Sequence, residues 1–276
     1  MRYLNLLFIC ALFAACNSGT DANTAATTAA ETATKAVTDA APAPAAEKKY
    51  TLTPFAASTE YADAKIESVT YQNNKFDFKV GEGTYKLGMQ TPDAGAKNCA
   101  NSAKGQHIHL IVDNKPYAAK YEASFDYPMD HGDHYILGFL SRSYHESIKT
   151  KDAHWLKKGH IHGGALQGGK EVTEPMVFYS RPKGTYTGKL ATEKVMLDFY
   201  LANVVLGTQF KVKAAINGEV HMIDRWQPYY IEGMPMGENK VTLTLVDGNG
   251  EMVKTPLNPV TRTFTLAADP LEAAAK

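Results

Sequence analysis

The sequence predicts an all-β protein. Three observations carry that expectation. From Tyr50 onward apolar residues mostly alternate with polar ones, turn residues recur at short intervals, and helical periodicity is weak throughout. Short strands at this spacing point to two tandem immunoglobulin-like antiparallel β-sandwich domains, with one continuous sandwich as the alternative.

The N-terminus reads separately from this pattern. Met1-Arg2-Tyr3-Leu4-Asn5 precedes an apolar stretch from Leu6 to Phe13, and Ala14-Ala15 stand just before Cys16. A basic start, a short apolar core and small residues at a cleavage point describe a secretory signal over residues 1–15, too short to span a bilayer as a permanent helix. Phe13-Ala14-Ala15-Cys16 resembles the lipobox of bacterial lipoproteins, although Phe13 stands where Leu is commoner. That resemblance implies acylation of Cys16 by palmitate-type chains, each buried methylene contributing about 0.8 kcal/mol of membrane affinity. The membrane is then a partner through the lipid. Asn17, where Asp would mark inner-membrane retention in the best-known sorting scheme, implies the outer membrane of the cell envelope.

Cys10 leaves with the signal and Cys16 carries the lipid, so Cys99 alone remains and no intramolecular disulfide forms. Its polar surroundings, Ala96 to Asn101, suggest an inert loop residue. Residues 16–48 carry the lipidated cysteine and a run dominated by Ala and Thr without an aromatic residue, which reads as a disordered stalk. A formal net charge of +0 gives no reason to expect a nucleic-acid partner.

Hairpins punctuate the remainder. Ser68-Val69-Thr70-Tyr71 and Lys75-Phe76-Asp77-Phe78-Lys79-Val80 flank Gln72-Asn73-Asn74, and Asn217-Gly218 suits a type I′ turn. The two halves also repeat each other. Gln106 to Asn114 matches Phe210 to Gly218, Met129 to Leu140 matches Met234 to Leu245, and Asp77-Phe78 matches Asp198-Phe199. One sandwich is therefore expected over 49–152 and another over 172–268. A Gly/His-rich connector at 153–171 would join them, and a tail follows at 269–276.

The repeat sorts strand faces. Phe210, Val212, Ala214 and Ile216 share one face, while Lys211 and Lys213 take the other, which should be wet. By register, Ile108, Leu110 and Val112 belong to a core, and His107 and His109 point outward. Two imidazoles projecting from one strand face suit a metal ion. The loop Asp130-His131-Gly132-Asp133-His134 supplies more donors, provided its strand starts at the same end of the sheet as His107. The expected ligand set is His107, His109, His131 and His134 with Asp133, and copper or zinc fits imidazole-rich ligation better than calcium. On the same strand path His145 lies too far away to join. His154, His160 and His162 form a second, looser group in the connector.

No nucleophile elbow, HExxH helix or phosphate-cradling Gly-rich loop occurs, and Ser143-Tyr144-His145-Glu146-Ser147 is too contiguous for a catalytic triad. Phe139 to Ser147, Tyr179 to Gly184, Leu197-Asp198-Phe199-Tyr200, Trp226 to Gly233 and Met236-Gly237-Glu238-Asn239 together resemble a family of two-domain lipoproteins from Bacteroidota-type bacteria. Some of its members carry the label phosphopeptide-binding protein. The resemblance implies a protein or peptide ligand, with a phosphorylated peptide as one form of it, contacted by Arg142, Ser143, His145, Arg181 and Lys183. The leading expectation is a non-catalytic binding or scaffold lipoprotein. A copper- or zinc-binding protein comes second and a hydrolase third.

Overall fold

The computed structural model describes residues 48–270. The signal segment, the proposed acylation site Cys16, the stalk and the residues beyond 270 lie outside the described residues. The chain opens with β1 (Thr51–Pro54) and then builds a first set of strands: β2 (Ile66–Gln72), β3 (Lys75–Val80), β4 (His107–Val112), β5 (Ala118–Lys120), β6 (Ser124–Asp126), β7 (Gly132–Ser141), β8 (His154–His162) and β9 (Ala165–Glu171). The second set comprises β10 (Met176–Arg181), β11 (Gly184–Thr187), β12 (Lys194–Ala202), β13 (Phe210–Ile216), β14 (Glu219–Ile223), β15 (Tyr229–Glu232), β16 (Gly237–Asp247) and β17 (Val260–Ala267). Among the described residues the all-β expectation holds, the strands being accompanied by a short helix at Lys189–Thr192 and a 3-10 turn at Ala94–Ala96.

In the first sandwich a three-stranded sheet, β2-β3-β6, faces a five-stranded sheet, β5-β4-β7-β8-β9. Alternation fills the space between them: Phe76 and Phe78 of β3 meet Ile108, Leu110 and Val112 of β4 and Ile136 and Leu140 of β7. The second sandwich sets β1-β15-β12-β10 against β11-β17-β16-β13-β14. Its core joins Val195, Leu197, Phe199 and Leu201 of β12 to Val212, Ala214 and Ile216 of β13 and Val241, Leu243 and Leu245 of β16.

The repeat survives in three dimensions down to single hydrogen bonds. β4 pairs with β7 as β13 pairs with β16. Asp113 closes the turn after β4 by accepting from the Tyr135 amide at 3.0 Å and meeting His134 Nδ1 at 2.6 Å. The matching Asn217 accepts from the Lys240 amide at 2.8 Å and donates to Asn239 at 2.8 Å. His134 Nε2 reaches the Asp130 carbonyl at 3.0 Å, and Asn239 reaches the Pro235 carbonyl at 2.8 Å.

Two boundaries differ from the sequence reading. Residues 153–171 are no connector: β8 pairs along most of β7, and β9 pairs with β8 through the tight Gly163-Gly164 reversal, so this hairpin extends the first five-stranded sheet. Glycines at its ends resemble a linker in sequence, but they serve the turn, where both adopt positive φ. β1, expected in the first sandwich, pairs with β15 of the second.

A third apolar cluster lies between the sandwiches. Ile111, Leu137, Phe139 and Leu156, on the outer face of the first five-stranded sheet, pack against Met176, Phe178, Tyr200 and Ala202, on the outer face of the second four-stranded sheet. Trp226 is partly buried against this cluster and the second core, and donates to the Phe199 carbonyl at 2.9 Å. Asn114 ties the junction through the backbone, accepting from the Tyr179 amide and donating to the Val177 carbonyl, both at 2.8 Å, along edge strand β10. Cys99 is buried beside Phe55, Tyr144, Met196 and Tyr230, and burial pushes its thiol up to about 12, so it remains an unreactive thiol at neutral pH.

Candidate metal centre between the sandwiches

Strand β4 presents Ile108, Leu110 and Val112 to the first core, as its alternation predicts, and therefore turns His107, His109 and Ile111 the other way. That face was expected to be wet. Both histidines are in fact 0% exposed. The reason is the junction: in the second copy the corresponding Lys211 and Lys213 meet solvent, whereas in the first copy the second sandwich covers the face.

The strand path also differs from the one assumed. β4 and β7 are direct antiparallel neighbours with His107 opposite Ser141, so the end of β7, not its start, lies beside His107. The turn Arg142–Glu146 then folds back over this face. Its closing bond runs from the His145 amide to the Arg142 carbonyl at 2.9 Å, and His145 takes φ 72°, a left-handed conformation costly for a residue with a Cβ. The result brings in the histidine that sequence reasoning excluded. His107 Nε2 lies 2.9 Å from His109 Nε2 and 3.0 Å from His145 Nδ1, and one ligand atom from each of the three falls within 4.8 Å of the others.

The outer nitrogens of the strand pair are held from behind. His107 Nδ1 donates to the Gly105 carbonyl at 2.8 Å, and His109 Nδ1 meets Ser180 Oγ of β10 at 3.2 Å. The first bond fixes the neutral tautomer of His107, leaving the Nε2 lone pair directed at the cluster. Tyr117 stacks on His109 with centroids 3.6 Å apart, and its hydroxyl lies 3.3 Å from His145 Nδ1. Desolvation by burial pushes His107 down to about 4 and holds His109 and His145 well below the ordinary imidazole value. All three are neutral at pH 7, the form that binds metal.

The other expected ligands are elsewhere. β7 is ten residues long, and at about 3.3 Å per residue its start lies roughly 30 Å from His107. His134 there is taken up by the Asp113 brace. His131 lies beside His160, with ring nitrogens 3.4 Å apart, and beside the ring of His162, while Asp133 holds His160 Nδ1 at 2.7 Å. His154 separates from that group and packs on Tyr200.

The ligand-binding residues implied by the resemblance divide as well. Arg142 is consumed internally, donating to the Thr59 carbonyl and pairing with Glu146, and the Ser143 amide and hydroxyl bond to Thr91. Both are buried. Arg181, Lys183 and His145 do converge. Arg181 Nε donates to the Tyr117 hydroxyl at 3.1 Å, and Lys183 Nζ sits 4.1 Å from the Tyr117 ring centroid. Tyr117 was missed in sequence. Ser180 was legible, since it shares a β10 face with Met176 and Phe178, but the partner of that face was not.

No family model matches the chain. No curated protein matches it either. Among solved structures, the chain is similar to the fibronectin(III)-like modules of Clostridium thermocellum CbhA, at 14% identity over 34% of this chain and 99% of that one, with a TM-score of 0.27. The FN1-FN3 domains of chicken CNTN1 align at 11% identity over 75% of this chain and 65% of that one, with a TM-score of 0.24. The extracellular domain of a hybrid two component system from B. thetaiotaomicron aligns at 11% identity over 73% and 38%, with a TM-score of 0.26.

Proposed function

We propose that the protein is a non-catalytic, lipid-anchored binding module of the bacterial cell envelope, and that its binding centre is a copper or zinc site formed by His107, His109 and His145. One observation carries the reading: three neutral ring nitrogens converge while the two strand histidines are oriented from behind by Gly105 and Ser180. Outer-shell partners of this kind orient imidazole ligands around a metal. A tetrahedral ion with Zn–N distances near 2.0–2.1 Å separates its nitrogens by roughly 3.3 Å. The observed 2.9 and 3.0 Å would open by a few tenths of an ångström to hold it, and the third separation, within 4.8 Å, would close toward the same value. The serines near His145 face other partners, Ser147 Oγ donating to Asp198 at 3.0 Å, which speaks against a hydrolytic triad.

Calorimetric titration of the full mature chain, carried as the Cys16→Ser variant for solubility, tests the site. Zn²⁺ or Cu²⁺ should bind near one equivalent, and His107→Ala/His109→Ala should weaken this at least a hundredfold. His131→Ala/His160→Ala should leave the high-affinity step intact. Equal binding by the first double variant and the parent would remove β4 from the site. The anchor has its own test: cells expressing the Cys16→Ser variant should lose incorporation of a palmitate analogue.

A further inference from the structure

We infer that this centre takes its metal together with an oxyanion, a phosphate or carboxylate group held by Arg181 and Lys183. The inference rests on the metal reading for the oxyanion's second contact, but the cation pair is an independent observation.

Arg181 is 7% exposed, and its Nη1 is buried without a hydrogen-bond partner. Its one hydrogen bond runs from Nε to a neutral acceptor, the Tyr117 hydroxyl. Among the described residues no carboxylate pairs with Arg181 or Lys183: the nearby acids are engaged elsewhere, Glu146 with Arg142 and Asp198 with Lys149. A guanidinium stays charged at any accessible pH, and a buried charge without a counter-charge is strongly unfavourable. The fork of donors on Arg181 fits the paired oxygens of a phosphate or carboxylate.

Position links this cation pair to the histidines. The Tyr117 hydroxyl lies 3.1 Å from Arg181 Nε and 3.3 Å from His145 Nδ1, so a single side chain separates the guanidinium from a ligand atom. Lys183 Nζ sits 4.1 Å from the centroid of the same ring, which stacks on His109. Three-histidine sites leave a fourth position open. A divalent ion among neutral imidazoles, with two cations alongside, collects positive charge that no protein carboxylate offsets. An oxyanion in the fourth position supplies the missing donor and the missing charge. Its entry is at the rim, where His145, Lys183 and Tyr121 are partly exposed and Lys104 lies over the Tyr121 ring.

Equilibrium dialysis of the full chain (Cys16→Ser) against micromolar radiolabelled inorganic phosphate, with and without one equivalent of Zn²⁺, decides the matter. We expect about one phosphate per chain with Zn²⁺, and at least tenfold weaker binding in Lys183→Gln and in Arg181→Gln. Lys183→Gln removes a half-buried group and keeps the test valid if Arg181→Gln fails to fold. Lys158→Gln, on an exposed face, should bind as the parent does. Displacement of phosphate by millimolar acetate supports a carboxylate-accepting centre, and resistance to acetate supports a phosphate-selective one. Zn²⁺ binding without uptake of either anion overturns this inference and leaves the metal reading standing. Phosphate uptake with no Zn²⁺ binding supports the cation pair and overturns the metal reading. Parental phosphate affinity in both cation variants overturns the inference outright.

Discussion

Gly138 of β7 lies between two buried neighbours on the face turned to the first core, and a Cβ there would sit 2.6 Å from the Phe78 ring. That ring fills the space a side chain would need, so Gly138→Ala must displace Phe78 from its packing with Phe76 and Phe125. Overpacking of this kind costs about 1–3 kcal/mol, and urea denaturation should show that loss at unchanged m-value. An unchanged midpoint would mean that the aromatic cluster yields freely. The residues that form the metal centre were half legible at this scale. Alternation placed His107 and His109 together on one face of β4 and kept them off the first core, as the structure has it. What alternation does not carry is the identity of whatever covers a face, and so the histidines expected in water are buried. His145 was excluded because a single descending strand after the Asp113-Asn114-Lys115 turn was taken to separate β4 from β7, so that both would run the same way; β5 in fact pairs on the other side of β4, and β7 is the direct antiparallel neighbour of β4.

At the level of elements, the repeat explains His134 better than a metal does. Its two ring nitrogens are bound to Asp113 and the Asp130 carbonyl, and the second copy builds the same brace from Asn217, Asn239 and the Pro235 carbonyl. The brace locks the turn after the first strand of each copy to the start of that strand's neighbour. Transplanting the second copy's pair, as Asp113→Asn/His134→Asn, should therefore preserve the turn, with a stability change within about 1 kcal/mol, whereas Asp113→Ala alone strands the Tyr135 amide and costs about 1–3 kcal/mol. Thermal melts compare the two variants, and metal titration of the first should match the parent. Loss of metal binding on transplanting would return His134 to the ligand set. The hairpin β8-β9 was misread as a connector because its turn glycines and its scattered histidines mimic a linker, while its pairing partner β7 lies outside the local sequence window.

The whole molecule has a folding question that its repeat raises and its junction answers. Two hydrophobic cores imply two halves able to fold alone, yet the uninterrupted apolar run Tyr135-Ile136-Leu137-Gly138-Phe139-Leu140 marks a strand buried on both faces. β12 is likewise buried along nearly its whole length, with Leu197 and Phe199 toward its own core and Tyr200 and Ala202 toward the other sandwich. Its one acid, Asp198, is 0% exposed and accepts from the Ser147 amide at 3.1 Å and from Lys149 at 2.9 Å, both donors coming from the first half. A fragment of residues 172–268 would open this apolar face to water and take away the partners of Asp198. It would also lose β1, which completes the sheet beside β15. Exposed faces of that kind drive association. The fragment should therefore aggregate or remain unfolded, and the described body, residues 48–270, should melt in one cooperative transition seen alike by far- and near-ultraviolet circular dichroism. A soluble, monomeric fragment with native near-ultraviolet signal would show that the junction joins two finished domains, and the histidine centre would then rest on a separable interface.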